Sequence, residues 1–181
     1  LAGISIGTPK IMEKLPMHQR DRIEVLYKSK KAFRDTSGYN LLYSKTAIGS
    51  GGFWGKGYKQ GSVTQGKFVP EQETDYIFCT VGEEWGFFGS FLLVLFYAIY
   101  IGRIFYLAET QKNTFNRVFG YCFAGILLMH FSINLGMVMG LFPTVGIPLP
   151  YFSYGGSSFL AFSIMTAIFF KLNYADKNSL V

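Results

Sequence analysis

The residues able to do chemistry gather just ahead of the first long apolar run. Glu71, Glu73 and Asp75 lie in Pro70-Glu71-Gln72-Glu73-Thr74-Asp75. A carboxylate can take a proton from a reacting group or hold a divalent cation. By residue type alone, all three are equally well first-turn helix carboxylates favoured by the helix dipole. The nearest preceding cations are Lys45, Lys56, Lys59 and Lys67. Ammonium groups in a polar segment suit an anionic lipid headgroup or a pyrophosphate. Further along, His130 and Asn134 stand four apart inside an apolar stretch. Polar groups placed there usually face a bundle interior, where they bond across helices or touch substrate.

Those residues need elements to position them, and the composition says which kind. Half of the 181 residues are hydrophobic, 18% are aromatic and only 15% are charged. Soluble domains carry about 25% charged residues, so the composition points to a membrane protein. The net charge is +6, and twelve of the 17 Lys and Arg residues precede residue 70. No nucleic-acid module accompanies that basic segment. No Walker-type phosphate loop or Cys/His metal spacing occurs. Cys79 and Cys122 lie in or beside apolar runs and read as buried thiols rather than a disulfide. The first seven residues, Leu1 to Gly7, read as the end of an apolar element whose start is missing, and the chain reads as a fragment.

Residues 8–74 form a long polar loop. Residues 10–34 are charge-dense and helical in part. Residues 49–66 hold seven glycines, a density that favours tight irregular backbone able to approach a ligand. The first span covers 75–108. In one continuous helix, Asp75, Gly82, Gly86, Gly89 and Leu93 would share a face open to another helix. Glu84 would point the opposite way, with Glu83 between. A short loop, 109–117, leads to a second span, 118–141. There Ser132, Gly136 and Gly140 make a small-residue packing face. Pro143, Pro148 and Pro150 then forbid a helix through the loop 142–153. The third span covers 154–172, beginning at Gly155-Gly156-Ser157-Ser158, and 173–181 is a polar tail. Basic residues in the short loop and the tail place both in the cytoplasm, which puts the long loop and the proline loop outside.

Several stretches are more specific than this pattern. They are Gly49-Ser50-Gly51-Gly52-Phe53-Trp54-Gly55-Lys56-Gly57, Phe68-Val69-Pro70-Glu71-Gln72-Glu73-Thr74-Asp75, Val81-Gly82-Glu83-Glu84-Trp85-Gly86 and Gly146-Ile147-Pro148-Leu149-Pro150-Tyr151-Phe152-Ser153-Tyr154-Gly155-Gly156-Ser157-Ser158. In order and spacing they resemble the SEDS family of shape, elongation, division and sporulation proteins, nearer its RodA branch than its FtsW branch. Tyr76, Tyr43 and Thr46 depart from the usual residues.

The resemblance implies an all-α polytopic membrane protein of ten spans, of which this chain is the C-terminal part with the large extracellular loop. It implies a peptidoglycan glycosyltransferase of the bacterial inner membrane that polymerises lipid II during elongation and shape maintenance. A class B penicillin-binding protein and elongation-complex membrane proteins would be partners, and the fragment alone would be inactive. Asp75 matches the family's catalytic aspartate, as general base or as ligand of a divalent cation (Mg or Mn). Lys45 and Lys56 match motif positions and, with Glu71 and Ser157, are the substrate-binding candidates. A lipid-linked precursor flippase and a non-catalytic scaffold for the penicillin-binding protein are the competing classes.

Overall fold

The computed structural model describes residues 36–178, together with Pro16 and Gln19. The expectations for 1–7 and for a helix within 10–34 lie outside the described residues. Within residues 36–178, six helices follow in order: α1 Thr36–Ser50, α2 Ser62–Gln65, α3 Ile77–Glu84, α4 Gly86–Glu109, α5 Thr114–Met139 and α6 Gly156–Asn178. There is no strand among the described residues.

Three helices, α4, α5 and α6, are long and apolar enough to cross a membrane. At 1.5 Å per residue, the 24 residues of α4 extend about 36 Å, enough for a hydrocarbon core of about 30 Å. The three pack through Tyr97, Ile101, Ile104, Phe123, Leu127 and Phe169. At the far end the loop before α5 is tied to α6. The backbone N–H groups of Lys112 and Asn113 donate to the two Asp176 carboxylate oxygens (2.8 and 3.1 Å), and Gln111 donates to Asn173 Oδ1 (2.7 Å). Outward-facing Phe87, Phe91, Phe96 and Ile99 on α4 stay exposed.

The expected first span, 75–108, is two helices rather than one. The chain breaks at Trp85–Gly86, where Gly86 adopts φ +65°. A β-carbon there would strike the backbone of Phe53 and Gly55. The glycine-rich loop fills the break. Phe87 and Phe88 donate their N–H groups to the carbonyls of Gly52 and Phe53, while Lys56 and Gly57 donate to those of Glu83 and Glu84. Gly86 therefore admits this loop, while Gly82 admits another helix, as expected. Gly82 receives Ile48 of α1, and a β-carbon on Gly51 would run into the Gly82 carbonyl. The single-face argument fails because helical phase does not carry across a residue with positive φ.

The small residues ending α5 also differ from expectation. Gly140 is a left-handed cap (φ +74°), and Gly136 makes room for the Phe142 ring, with Leu141 and Phe142 both donating N–H to the Gly136 carbonyl. The stripe builds a helix terminus. From Leu141 to Gly155 the chain is non-helical and turns back over the α3 end of the bundle. Tyr97 donates its hydroxyl to the Pro150 carbonyl and Ser153 Oγ accepts from Leu149 N–H. Cys79 is buried as expected, Cys122 is exposed, and both are free thiols.

Candidate functional site

Asp75 sits on a tight turn just before α3. Glu71 starts that turn at φ +56°, and its carbonyl accepts the N–H groups of Thr74, Asp75 and Tyr76 (3.3, 3.0 and 3.3 Å). The turn is clamped from two sides. Tyr154 N–H donates to the Glu73 carbonyl (2.9 Å). The Asn134 side-chain amide, on α5, donates to the Asp75 carbonyl at 2.9 Å and to the Ile147 carbonyl at 2.7 Å. Gly146, at φ +75°, faces the acid. A β-carbon there would lie 3.0 Å from Asp75 Oδ2. Three separate segments thus meet around one half-buried carboxylate.

Burial pushes the Asp75 carboxyl above its ordinary range, and the nearby Glu71 charge adds to this, while the Thr74 hydroxyl opposes it. Desolvation favours the protonated acid, so the carboxylate holds a proton more readily than a surface aspartate does. On one flank of the turn lies a cavity of about 400 Å³ with a mixed lining, Val69 and Pro70 beside Lys67, Glu71, Glu73 and Thr74. On the other, a largely apolar cavity of about 490 Å³ runs past Glu73, Ile77, Phe152, Tyr154 and Gly156 to Phe159.

The other candidates fall in different places. Lys45 is exposed on α1, its ammonium beside the Gly140 cap, close enough that a β-carbon on Gly140 would fall 2.5 Å from Nζ. Its neighbour Ser44 fixes that approach by donating to the Val138 carbonyl (3.1 Å). Asn134, which holds the Asp75 turn, and Gly140, beside which the Lys45 ammonium lies, are six residues apart, about 9 Å along the helix direction. Lys56 is occupied otherwise. It donates to Glu83 Oε1 at 2.7 Å and to Ser62 Oγ at 3.0 Å. Glu71 shapes the Asp75 turn, and its carboxylate accepts from Thr74 Oγ1 (3.2 Å). Ser157 is exposed in the first turn of α6.

Reading the sequence missed two features. Glu83 is fully buried, and besides Lys56 it accepts the N–H groups of Val63 (3.0 Å) and Thr64 (2.8 Å). Its only sequence signal was an acid inside Val81-Gly82-Glu83-Glu84-Trp85. The second is the division between His130 and Asn134. Asn134 bonds across segments as expected. His130 does not: its ring meets Phe162 edge to face at 5.1 Å, and its buried Nδ1 has no hydrogen-bond partner among the described residues.

Three membrane-length helices define a multi-pass membrane protein, and a half-buried acid is clamped just outside them. The chain belongs to the FtsW, RodA and SpoVE family of cell cycle proteins, matching it over residues 1–178. It is 43% identical over 124 residues to the peptidoglycan glycosyltransferase MrdB of Escherichia coli K12, covering 68% of this chain and 34% of that protein. It is 36% identical over 173 residues to the peptidoglycan glycosyltransferase RodA of Treponema pallidum, covering 96% of this chain and 38% of that one. Its fold superimposes with a TM-score of 0.72 on a chain of a peptidoglycan synthase complex that coordinates polymerization and crosslinking, at 26% identity, over 96% of this chain and 47% of that one. The chain thus spans between a third and a half of the length of these relatives.

Proposed function

We propose that the full protein polymerises lipid II into glycan strands at the outer face of the bacterial cytoplasmic membrane, as a RodA-type glycosyltransferase of cell elongation. The observation carrying this reading is the clamped, half-buried Asp75 with its raised proton affinity. The relatives' names supply the reaction class. Asp75 takes the proton from the 4-hydroxyl of the attacking sugar. That oxygen bonds to the anomeric carbon of the second sugar as the bond to the pyrophosphate breaks, with inversion. A base whose proton affinity is raised toward the working pH is better matched to this transfer, typically worth 10²–10⁴-fold.

The departing lipid pyrophosphate needs positive charge. Lys45 is the better placed of the two lysine candidates, since Lys56 already neutralises Glu83. Asp75 and Glu71 also offer the hard oxygen set that suits Mg or Mn, which takes one or two carboxylates plus substrate phosphates. Such an ion would supply Lewis-acid stabilisation of the leaving group. Ser157 remains a candidate for substrate contact at the start of α6. A class B penicillin-binding protein is the proposed partner, in line with the synthase complex that shares the fold.

The test is glycan chain formation from lipid II by the full-length protein with its partner, wild type against Asp75→Asn. Loss of polymer with intact insertion and partner co-purification supports the enzyme. Wild-type polymerisation by Asp75→Asn removes the proposed base. If the wild type makes no polymer, substrate translocation in vesicles then supports the flippase class, and neither activity the scaffold.

A further inference from the structure

We propose that Asn134 is a positioning residue for Asp75: its side-chain amide sets the spacing between the carboxylate and the backbone that faces it. This inference rests on the proposed glycosyl transfer.

The geometry is specific. Asn134 is fully buried, and its amide nitrogen has two hydrogens. Both find acceptors, the carbonyls of Asp75 and Ile147. Neither carbonyl belongs to a helix. Asp75 precedes the start of α3 at Ile77, where Cys79 N–H donates to Tyr76 instead, and Ile147 lies in the proline loop. The two ends of the clamp are informative. One is the residue that bears the carboxylate. The other directly follows Gly146, the residue that faces Asp75 Oδ2. A single planar group therefore fixes how far the acid stands from the opposing loop.

Plain stabilisation would need only that two buried carbonyls be satisfied. Two donors on one nitrogen do more, because they make the Asp75 turn and the proline loop move as a unit on α5. A displacement of about 1 Å in a reacting group can lower a rate by about 10²-fold. His130, one turn earlier on the same helix, has neither bond and serves as the internal control.

The experiment measures kcat and KM for lipid II polymerisation by the full-length protein with its partner, per folded molecule. The variants are Asn134→Ala, Asn134→Gln and Asn134→Asp. Asn134→Ala is expected to lower kcat by about 10- to 100-fold while KM stays within about threefold. Asn134→Asp has at most one donor, on its protonated form, and should fall at least as far. Asn134→Gln keeps both donors on a longer stem and should recover part of the loss, to within about tenfold of wild type.

Near-wild-type kcat in folded Asn134→Ala would overturn the proposal, as would a loss confined to KM. If Asn134→Ala is not recovered folded, the other two variants decide. An Asn134→Asp enzyme as active as Asn134→Gln would overturn it, because the double donation would then not matter. Asp75→Asn, run alongside, separates the two levels. If Asp75→Asn polymerises normally, the glycosyl-transfer reading fails. If Asp75→Asn is inactive while all Asn134 variants are normal, only the positioning role fails.

Discussion

Glu83 and Asp75 are two acids eight residues apart with opposite fates. Glu83 is enclosed by donors: the Lys56 ammonium, the N–H groups of Val63 and Thr64, and weaker approaches from Ser50 and Ser62 at 3.4 Å. Burial pushes its carboxyl up, but Lys56 and the amides outweigh this and hold it at about 2. Asp75 has its backbone clamped while burial and Glu71 push its carboxyl the other way. In one region the charge is fully matched and locks a loop. In the other it is left under-matched and ready to accept a proton. The structural acid and the acid proposed as base thus differ in their donors, since both are withdrawn from water.

The largest effect should come from breaking the matched acid. Removing one partner of a buried ion pair costs about 3–5 kcal/mol, so Glu83→Ala should lower stability by roughly that much and loosen residues 51–66. Thermal unfolding and hydrogen exchange of the loop would show it. The pH dependence has a definite sign. Because the folded value lies below the ordinary glutamate value of about 4.3, the stabilisation is complete above that pH. It is lost as pH falls toward about 2. Unchanged loop protection in Glu83→Ala would mean that the ion pair is incidental.

Next in size is the under-matched acid. Asp75→Asn should lower polymerisation by the full-length protein at least about 10²-fold, or about 2.7 kcal/mol in the barrier. Stability should move the other way. The folded Asp75 carboxyl is raised, so its ionisation opposes folding once pH exceeds that raised value. The penalty vanishes below the ordinary value of about 3.9. Asp75→Asn should therefore melt higher at neutral pH and no higher in acid. A lower melting point at neutral pH would contradict the comparison.

Gly86→Ala tests the docking that puts Glu83 in reach of its loop. With φ +65° and the Gly55 backbone in the way, it should cost at least about 1 kcal/mol. The loop should loosen more than the α4–α5–α6 packing, as read by residue-resolved hydrogen exchange. The smallest change is expected from His130→Ala, which removes an aromatic contact worth about 0.5–1.5 kcal/mol and leaves activity per folded molecule intact. A stable but inactive His130→Ala would move that residue into the site.

Much of this was legible in the residues. The spans near α5 and α6 followed from apolar runs of membrane length, and the proline loop from residues that cannot continue a helix. Asp75 was singled out by the motif around it, since its type and position alone also fit a first-turn carboxylate. What escaped was long-range. Periodicity treats a helix as unbroken, so it carried one face through Gly86. Gly82 does pack against a helix, but Gly86, placed on the same face, instead admits a loop from about thirty residues upstream, and composition holds no record of such a partner. Lys56 looked like a free cation because its partner, Glu83, lies beyond the loop that separates them.

The Trp85–Gly86 break has a mechanical consequence. A continuous helix would transmit any rocking of α4 straight along its axis to the residues beside Asp75. Here the axis is interrupted, and the first N–H groups of α4, at Phe87 and Phe88, are held by the glycine loop instead. A span that changes tilt to suit bilayer thickness therefore pulls first on residues 52 and 53. The acid's turn is fastened instead to α5 through Asn134, so a tilt of α4 reaches it through the proline loop and α5 and not along one helical axis.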